Sequence, residues 1–333
     1  MAEKKNGQCH QLIVQPNEGT EPVVELIDGA KKSLRVKQFT LTDSKIMSAL
    51  IHAHKRHVDV RVMLNPHRSS GDRANDESFK ALRHAGLKIE WSNPAFAVTH
   101  EKSMVVDDTV ALISTFNYAT KYFTETRDYG IVTAHKPQVD EVIACFEADW
   151  HRKPFEPGSD TGLMWSSNNA RQRMAWFIDT AYEELLIQHP KFVDATIVER
   201  IAAARKRGVK VHLLCGGRHG ISEWDILDTF ASLRVLDGFG VKVRRQKHLK
   251  LHAKLLIVDG SRAQVGSMNI DRSAFDLRRE LGIVVGDEAI IKGLSKVFEH
   301  DWGESKGYEA PDPLEPDKHH EGELPQDPDF LHE

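Results

Sequence analysis

Two stretches of the chain share one pattern of apolar and polar positions. ALIHAHKRHVDVRVML, from Ala49, and RIAAARKRGVKVHLLC, from Arg200, each begin with helical spacing and a basic end, then pass into an alternating V-x-V run. The change from a 3.6-residue to a 2-residue period predicts a helix leading into a strand. LIDGAKKSL near Leu26 and FIDTAYEEL near Phe177 supply a matching earlier helix, and AGLKIEW and FGVKVRR a matching later strand. Leu255 to Val258 is apolar at four successive positions and reads as a buried strand. Each half therefore reads as helix, strand, helix, strand, helix, strand, then one more strand. The β-branched strands between helices exclude an all-helical repeat array and define an α/β fold.

The halves are copies. HEKSMVVD begins at His100 and HAKLLIVD at His252, an offset of 252 − 100 = 152. The same offset carries Asp107 onto Asp259, Asn117 onto Asn269, Asp128 onto Glu280, Gly130 onto Gly282, and FEADW (146–150) onto FEHDW (298–302). The turn-rich PFEPGSDTG marks the boundary. The expected division is a tail over 1–17, one repeat over 18–157, a second over 158–305, and an acidic, proline-rich, disordered tail over 306–333.

Composition narrows the class. Of 333 residues, 40% are apolar and 28% charged, which suits a folded, water-exposed protein and excludes disorder of the whole chain. The net charge of −4 argues against a globally basic nucleic-acid binder. Cys9, Cys145 and Cys215 are scattered and odd in number, so no disulfide framework is expected and a reduced, cytoplasmic setting is. No apolar run approaches the ~20 residues that span a bilayer, and the N-terminal sequence shows no signal-type apolar core.

The chemistry lies in the duplicated H-x-K-x-x-x-x-D string. In a strand, residues i and i+2 share a face, so His100 would stand beside Lys102 and His252 beside Lys254. An imidazole next to a fixed cation suits attack on a phosphoryl group, the ammonium balancing the non-bridging oxygens. Ten residues after each motif aspartate stands Asn117 or Asn269, within STFN and GSMN. The hydroxyls and amides there, Thr115 and Ser267 included, are candidate donors to the same oxygens. Eleven residues further on stands Asp128 or Glu280, a carboxylate able to fix the tautomer of an imidazole.

Two HxKxxxxD copies, the second followed by GSxN, resemble the phospholipase D superfamily. The resemblance runs over roughly residues 18 to 303. It implies two α/β sandwich halves about a pseudo-twofold axis, with one active site built from both, so that a monomer suffices. It also implies a two-step reaction needing neither metal nor cofactor. One histidine attacks phosphorus to form a phosphohistidine; the other protonates the leaving alcohol and then activates the acceptor. By that analogy His100 is the nucleophile and His252 the general acid/base, while Asp107 and Asp259 support local structure. Two departures stand in the first half. Ser114-Thr115 replaces Gly-Ser, and the shorter Asp128 replaces glutamate, which is expected to loosen the hold on His100.

The stretch GSMNIDRSAFDLRRELGIVV is similar to cardiolipin-synthase-type relatives, which makes a phospholipid at a membrane surface the expected substrate. The alternatives are nucleic-acid phosphodiesters, because STFNYAT resembles nuclease-type members, and an inactive binding protein if His100 and His252 lie far apart. Among the remaining candidates, Phe146, Trp150, Phe298 and Trp302 read as core packing. His52, His54 and His57 read as a polar helix face, since no fourth ligand or HExxH spacing supports zinc. Arg218 and His219 follow a strand end where ligands often bind, and His67 with the loop RSSGDRAND occupies the equivalent place in the first half. His319 and His320 fall in the tail. Lys242, Arg244, Arg245, Lys247, Lys250 and Lys254, with no acid among them, are expected in part to line an anion-attracting groove.

Overall fold

The computed structural model describes residues 9–68, 71–218, 221 and 223–315, apart from the side chains of residues 223 and 224. The first half runs β1 (His10–Gln15), α1 (Glu21–Gly29), β2 (Ser33–Gln38), α2 (Ser44–Lys55), β3 (Asp59–Leu64), α3 (Asp76–His84), β4 (Lys88–Trp91), β5 (Ser103–Val106), β6 (Val110–Ser114), α4 (Thr120–Thr124), β7 (Thr126–Thr133) and α5 (Lys136–Trp150). The second half runs β8 (Leu163–Trp165), α6 (Ala170–Asp179), β9 (Glu184–Gln188), α7 (Ala195–Lys206), β10 (Lys210–Cys215), α8 (Glu223–Gly238), β11 (Lys242–Arg245), β12 (Lys250–Leu251), β13 (Leu255–Val258), β14 (Arg262–Gly266), α9 (Arg272–Asp276), β15 (Leu281–Val285), α10 (Glu288–Glu304) and β16 (Lys306–Gly307).

Local chemistry sets the helices. Asp43 caps α2 by accepting from the backbone N–H of Lys45 and Ile46, and Ile46, Ala49, Leu50 and Ala53 bury one face at helical spacing. Asp194 caps α7, the equivalent helix, in the same way. The strands form two mixed sheets, one for each half, except that β12 joins the first sheet through β7. The orders are β1-β7-β6-β5-β2-β3-β4 and β16-β11-β10-β9-β13-β14-β15-β8. The helices α1–α3 cover one outer face and α6–α8 the other, each over its own apolar core. The inner faces share a third core. Val105, Ala111 and Ile113 of the first sheet belong to it with Leu255, Ile257 and Val265 of the second, and α5 and α10 add Val142, Cys145, Leu294 and Phe298. This is the expected pair of sandwich halves packed sheet to sheet.

The ends depart from the sequence expectation. The segment assigned to an N-terminal tail contains β1, which pairs antiparallel with β7 from His10↔Thr133 to Gln15↔Asp128. It closes the edge of the strand that carries Asp128, as β8 closes that of β15. The C-terminal tail likewise begins later than expected. β16 pairs with β11, and Ala310 is buried in the second core. These segments are short, and their apolar residues are too few to show a period. Residues 316–333, including His319 and His320, and also His219, lie outside the described residues.

Candidate active site

Each histidine is placed by a strand of the other half. β12, which enters the second motif, pairs parallel with β7, Lys250 opposite Thr126 and Leu251 opposite Arg127. The corresponding bridge on the other side joins Thr99 to Arg279. The Arg279 carbonyl accepts from the N–H of His100 and of Glu101, both at 2.9 Å, and the Arg127 carbonyl accepts from the N–H of His252 at 3.3 Å. This exchange corrects the expected pairing of histidine and carboxylate within one half. His100 Nδ1 lies 3.0 Å from both carboxylate oxygens of Glu280, and His252 Nδ1 lies 2.7 Å from Asp128 Oδ1. The shorter carboxylate therefore holds His252, not His100.

The lysines stand beside their histidines, although both H-x-K segments precede β5 and β13 instead of lying within them. Lys102 Nζ donates to the His100 carbonyl at 2.8 Å. Lys254 Nζ donates to the His252 carbonyl at 2.8 Å and lies 2.9 Å from His252 Nε2. Both imidazoles are buried against aromatic rings, His100 on Phe39 at 4.7 Å and His252 on Tyr122 at 4.8 Å between centroids.

Burial and charge tune the set. His100 is pushed well below the ordinary imidazole range, first by burial and then by Lys102 and Arg278. His252 falls to about 3, because burial, with Lys254, outweighs the attraction of Asp128. Glu280 rises to about 7 through burial, against the pull of Lys102 and Arg278. Asp128 is lowered, since His252, Lys254 and Thr115 outweigh its burial. Each motif's lysine also acts on the other motif's histidine, so both motifs serve one site.

The supporting residues divide. Thr115 donates to Asp128 and accepts from the N–H of Tyr129 at 2.9 Å. Its counterpart Ser267 accepts from the N–H of Leu281 at 3.1 Å. Asn117 and Asn269 are buried, and Asn269 Oδ1 has no hydrogen-bond partner among the described residues. Asp107 and Asp259 sit at positive φ and accept the N–H groups of residues 31–33 and 182–184. They clamp the entries to β2 and β9.

Several buried charges escaped the sequence reading. Arg279 pairs with Asp149 at 3.0 and 3.1 Å, and Arg127 with Asp301 at 2.7 and 3.0 Å. Both bonds cross between the halves, and each arginine is one residue before a site carboxylate. The duplicated Arg-Asp and Arg-Glu pairs, with the aspartates of FEADW and FEHDW, were the signal. Glu101, Cys145 and Asp149 bring three ligand-type atoms together, but Lys37 Nζ sits 2.9 Å from Glu101 and 2.8 Å from Asp149, and Arg279 takes the remaining charge. Of the basic run, Arg244 lies over Trp302, Lys250 pairs with Glu125 at 3.0 Å, and Lys254 acts on both motif histidines.

Sequence and structure comparisons identify the family. A family described as "Cardiolipin synthase, PLD-like domain" matches twice, over residues 23–150 and 174–302. The chain belongs to the phospholipase D superfamily, in this cardiolipin-synthase-type family. It is 26% identical to cardiolipin synthase 1 of Staphylococcus aureus (strain COL), over 88% of this chain and 67% of that protein. It is also 26% identical to a cardiolipin synthase of Clostridium perfringens (strain SM101 / Type A), over 76% of this chain but 61% of that protein. Its fold matches phosphatidylserine synthase of Haemophilus influenzae Rd KW20, with a TM-score of 0.71, 16% identity, and coverage of 91% of this chain and 88% of that one. Polyphosphate kinase of Porphyromonas gingivalis also matches at 0.71, with 17% identity over 90% of this chain and 48% of that one. Among the described residues no helix is long and apolar enough to cross a membrane.

Proposed function

We propose that the protein is a phosphatidyltransferase of phospholipase D type, acting on phospholipids through a phosphohistidine. The observation that carries this reading is the crosswise pair of imidazole–carboxylate bonds, with a lysine beside each histidine. Cardiolipin synthases matched over most of the chain favour lipid over nucleic acid as the substrate. The enzyme works as a peripheral protein on a phospholipid surface.

The roles follow from the electrostatics. His100 is held neutral, with Nδ1–H donated to Glu280 and Nε2 without a partner among the described residues, so its lone pair is available. Nε2 attacks phosphorus, and the bond to the leaving alcohol breaks. His252 supplies the proton to that alcohol, and the ionised Asp128 stabilises the imidazolium form that must exist before transfer. In the second step His252 takes the proton from water or an acceptor alcohol, whose oxygen attacks phosphorus as the P–N bond breaks. Lys102 and Lys254 balance the charge on the non-bridging oxygens.

The test is alcohol trapping. Purified protein is given mixed phosphatidylcholine–phosphatidylglycerol micelles and a primary alcohol, and the products are read by mass spectrometry. A phosphatidyl-alcohol that disappears in His100→Ala is expected. No lipid product, with cleavage of single-stranded or duplex DNA instead, would replace this reading with a nuclease.

A further inference from the structure

The residue two positions before each site carboxylate differs between the halves. In the first half it is Thr126, whose hydroxyl donates to Asp128 Oδ2 at 2.6 Å. Under the offset of 152 its counterpart is Arg278. Alternation places the two in the same way. Arg127 and Arg279 turn away from the site to Asp301 and Asp149, while Thr126 with Asp128, and Arg278 with Glu280, share the opposite side. Thr126 touches its carboxylate directly.

Arg278 is buried, and among the described residues its side chain makes no hydrogen bond or ion pair; Nη1 is fully enclosed. Its backbone is fixed, the carbonyl accepting from Ser166 Oγ and the N–H donating to Ser273. Two carboxylates feel its charge. Glu280 holds His100, while Asp271 Oδ1 caps α9 through Ala274 N–H and Ser273 Oγ, both at 2.7 Å, and Asp271 Oδ2 meets Lys191 at 3.3 Å without a hydrogen bond. A buried guanidinium left unpaired is costly unless an anion completes it. His100, on which the Arg278 charge acts, likewise has its Nε2 without a partner among the described residues.

The geometry points to Arg278 as a third phosphate-binding cation of the site, donating to a non-bridging oxygen of the phosphoryl group that His100 attacks. This rests on reading the histidine pair as a phosphodiester site, but not on which diester is used. A planar guanidinium with several N–H donors fits two oxygens of one phosphate, which an ammonium does not. The second half thus brings two cations to the phosphoryl group, and the first half one.

Tungstate, a phosphate analogue, tests this by titration calorimetry on the full chain. Arg278→Thr, which copies the first half, is expected to weaken tungstate binding roughly tenfold to a hundredfold, and Arg278→Lys to recover part of the loss. The melting temperature of both variants should match or exceed that of the wild type. Wild-type protein that fails to bind tungstate, or Arg278→Thr that binds it as tightly as wild type, overturns the inference. If either variant unfolds, an arginine with a purely structural role is indicated and the inference falls. Tungstate binding that depends on Arg278, in a protein giving no phosphatidyl product, would leave the inference standing and remove the lipid reading instead.

Discussion

The two imidazole–carboxylate pairs are duplicates by descent of sequence but not by chemistry. Asp128 accepts from Thr115, Thr126 and His252, and its carboxyl stays below the ordinary range. Glu280 faces His100 without a counterpart to Thr126, and rises to about 7. The ionised Asp128 carboxylate pulls His252 toward the imidazolium, against burial and Lys254, which keep the resting ring neutral. A carboxyl near neutrality leaves His100 uncharged, as a nucleophile requires. The substitutions around the carboxylates give the two copies different electrostatics, and the proposed division of roles rests on that difference.

The largest break of this comparison comes from the histidines. Removing His100 should abolish turnover and any covalent phosphoenzyme. His252→Asn should slow both steps by roughly 10² to 10⁴, while a substrate with an activated leaving group lets radiolabelled phosphoenzyme accumulate. Phosphoenzyme that forms without His100 but not in His252→Asn would reverse the roles assigned here.

The crossing ion pairs come next. Arg279→Met leaves Asp149 with the charge of Lys37 and the neutral donors Asn93 and Cys145, and Arg127→Met leaves Asp301 with glutamine donors. Breaking a buried pair from one side costs about 3–5 kcal/mol. Lys37 still neutralises Asp149, so Arg279→Met should lower the urea midpoint less than Arg127→Met does. The reverse order would show that Lys37 does not compensate.

The carboxylates sharpen the comparison further. Glu280→Gln and Asp128→Asn should each reduce kcat/KM by roughly 10- to 100-fold, the usual loss when a residue orienting an imidazole is neutralised. Their pH–rate profiles should differ. Glu280 titrates near 7, so only Glu280→Gln should flatten a limb close to neutrality.

The repeat, the paired motifs and the order of elements could be read from the chain because each is local or recurs at a fixed offset. The helix-to-strand switch at Ala49 and Arg200 became α2–β3 and α7–β10. The exchange of carboxylates was not legible, because it depends on β12 crossing to β7, a two-residue pairing with no periodic signature. Nor were Lys37, Lys191 or Arg278. Their counterparts in the other half are Gln188, Thr40 and Thr126, so comparing the halves for identity passes over them. The differences between the copies held the information.

The smallest effect concerns Asp107 and Asp259, which lie away from the chemistry. Burial raises the Asp107 carboxyl, but the N–H groups of Ser33, Lys32 and Lys31 outweigh it, and the net pKa is lowered. Asp259 behaves alike with Glu184, Glu183 and Tyr182. A lowered folded pKa contributes stability above the ordinary aspartate value, and that contribution is lost as pH falls through the folded value. Solvent screens this partly exposed carboxylate, so Asp107→Asn should cost only about 0.5–1 kcal/mol at neutral pH, and the gap to wild type should close as the solution is acidified below the ordinary carboxylate range. Because the second clamp is built from the same three N–H bonds, Asp259→Asn should match it, and here alone the two halves should respond as equals. A constant gap at all pH values would mean that shape, not charge, holds these loops.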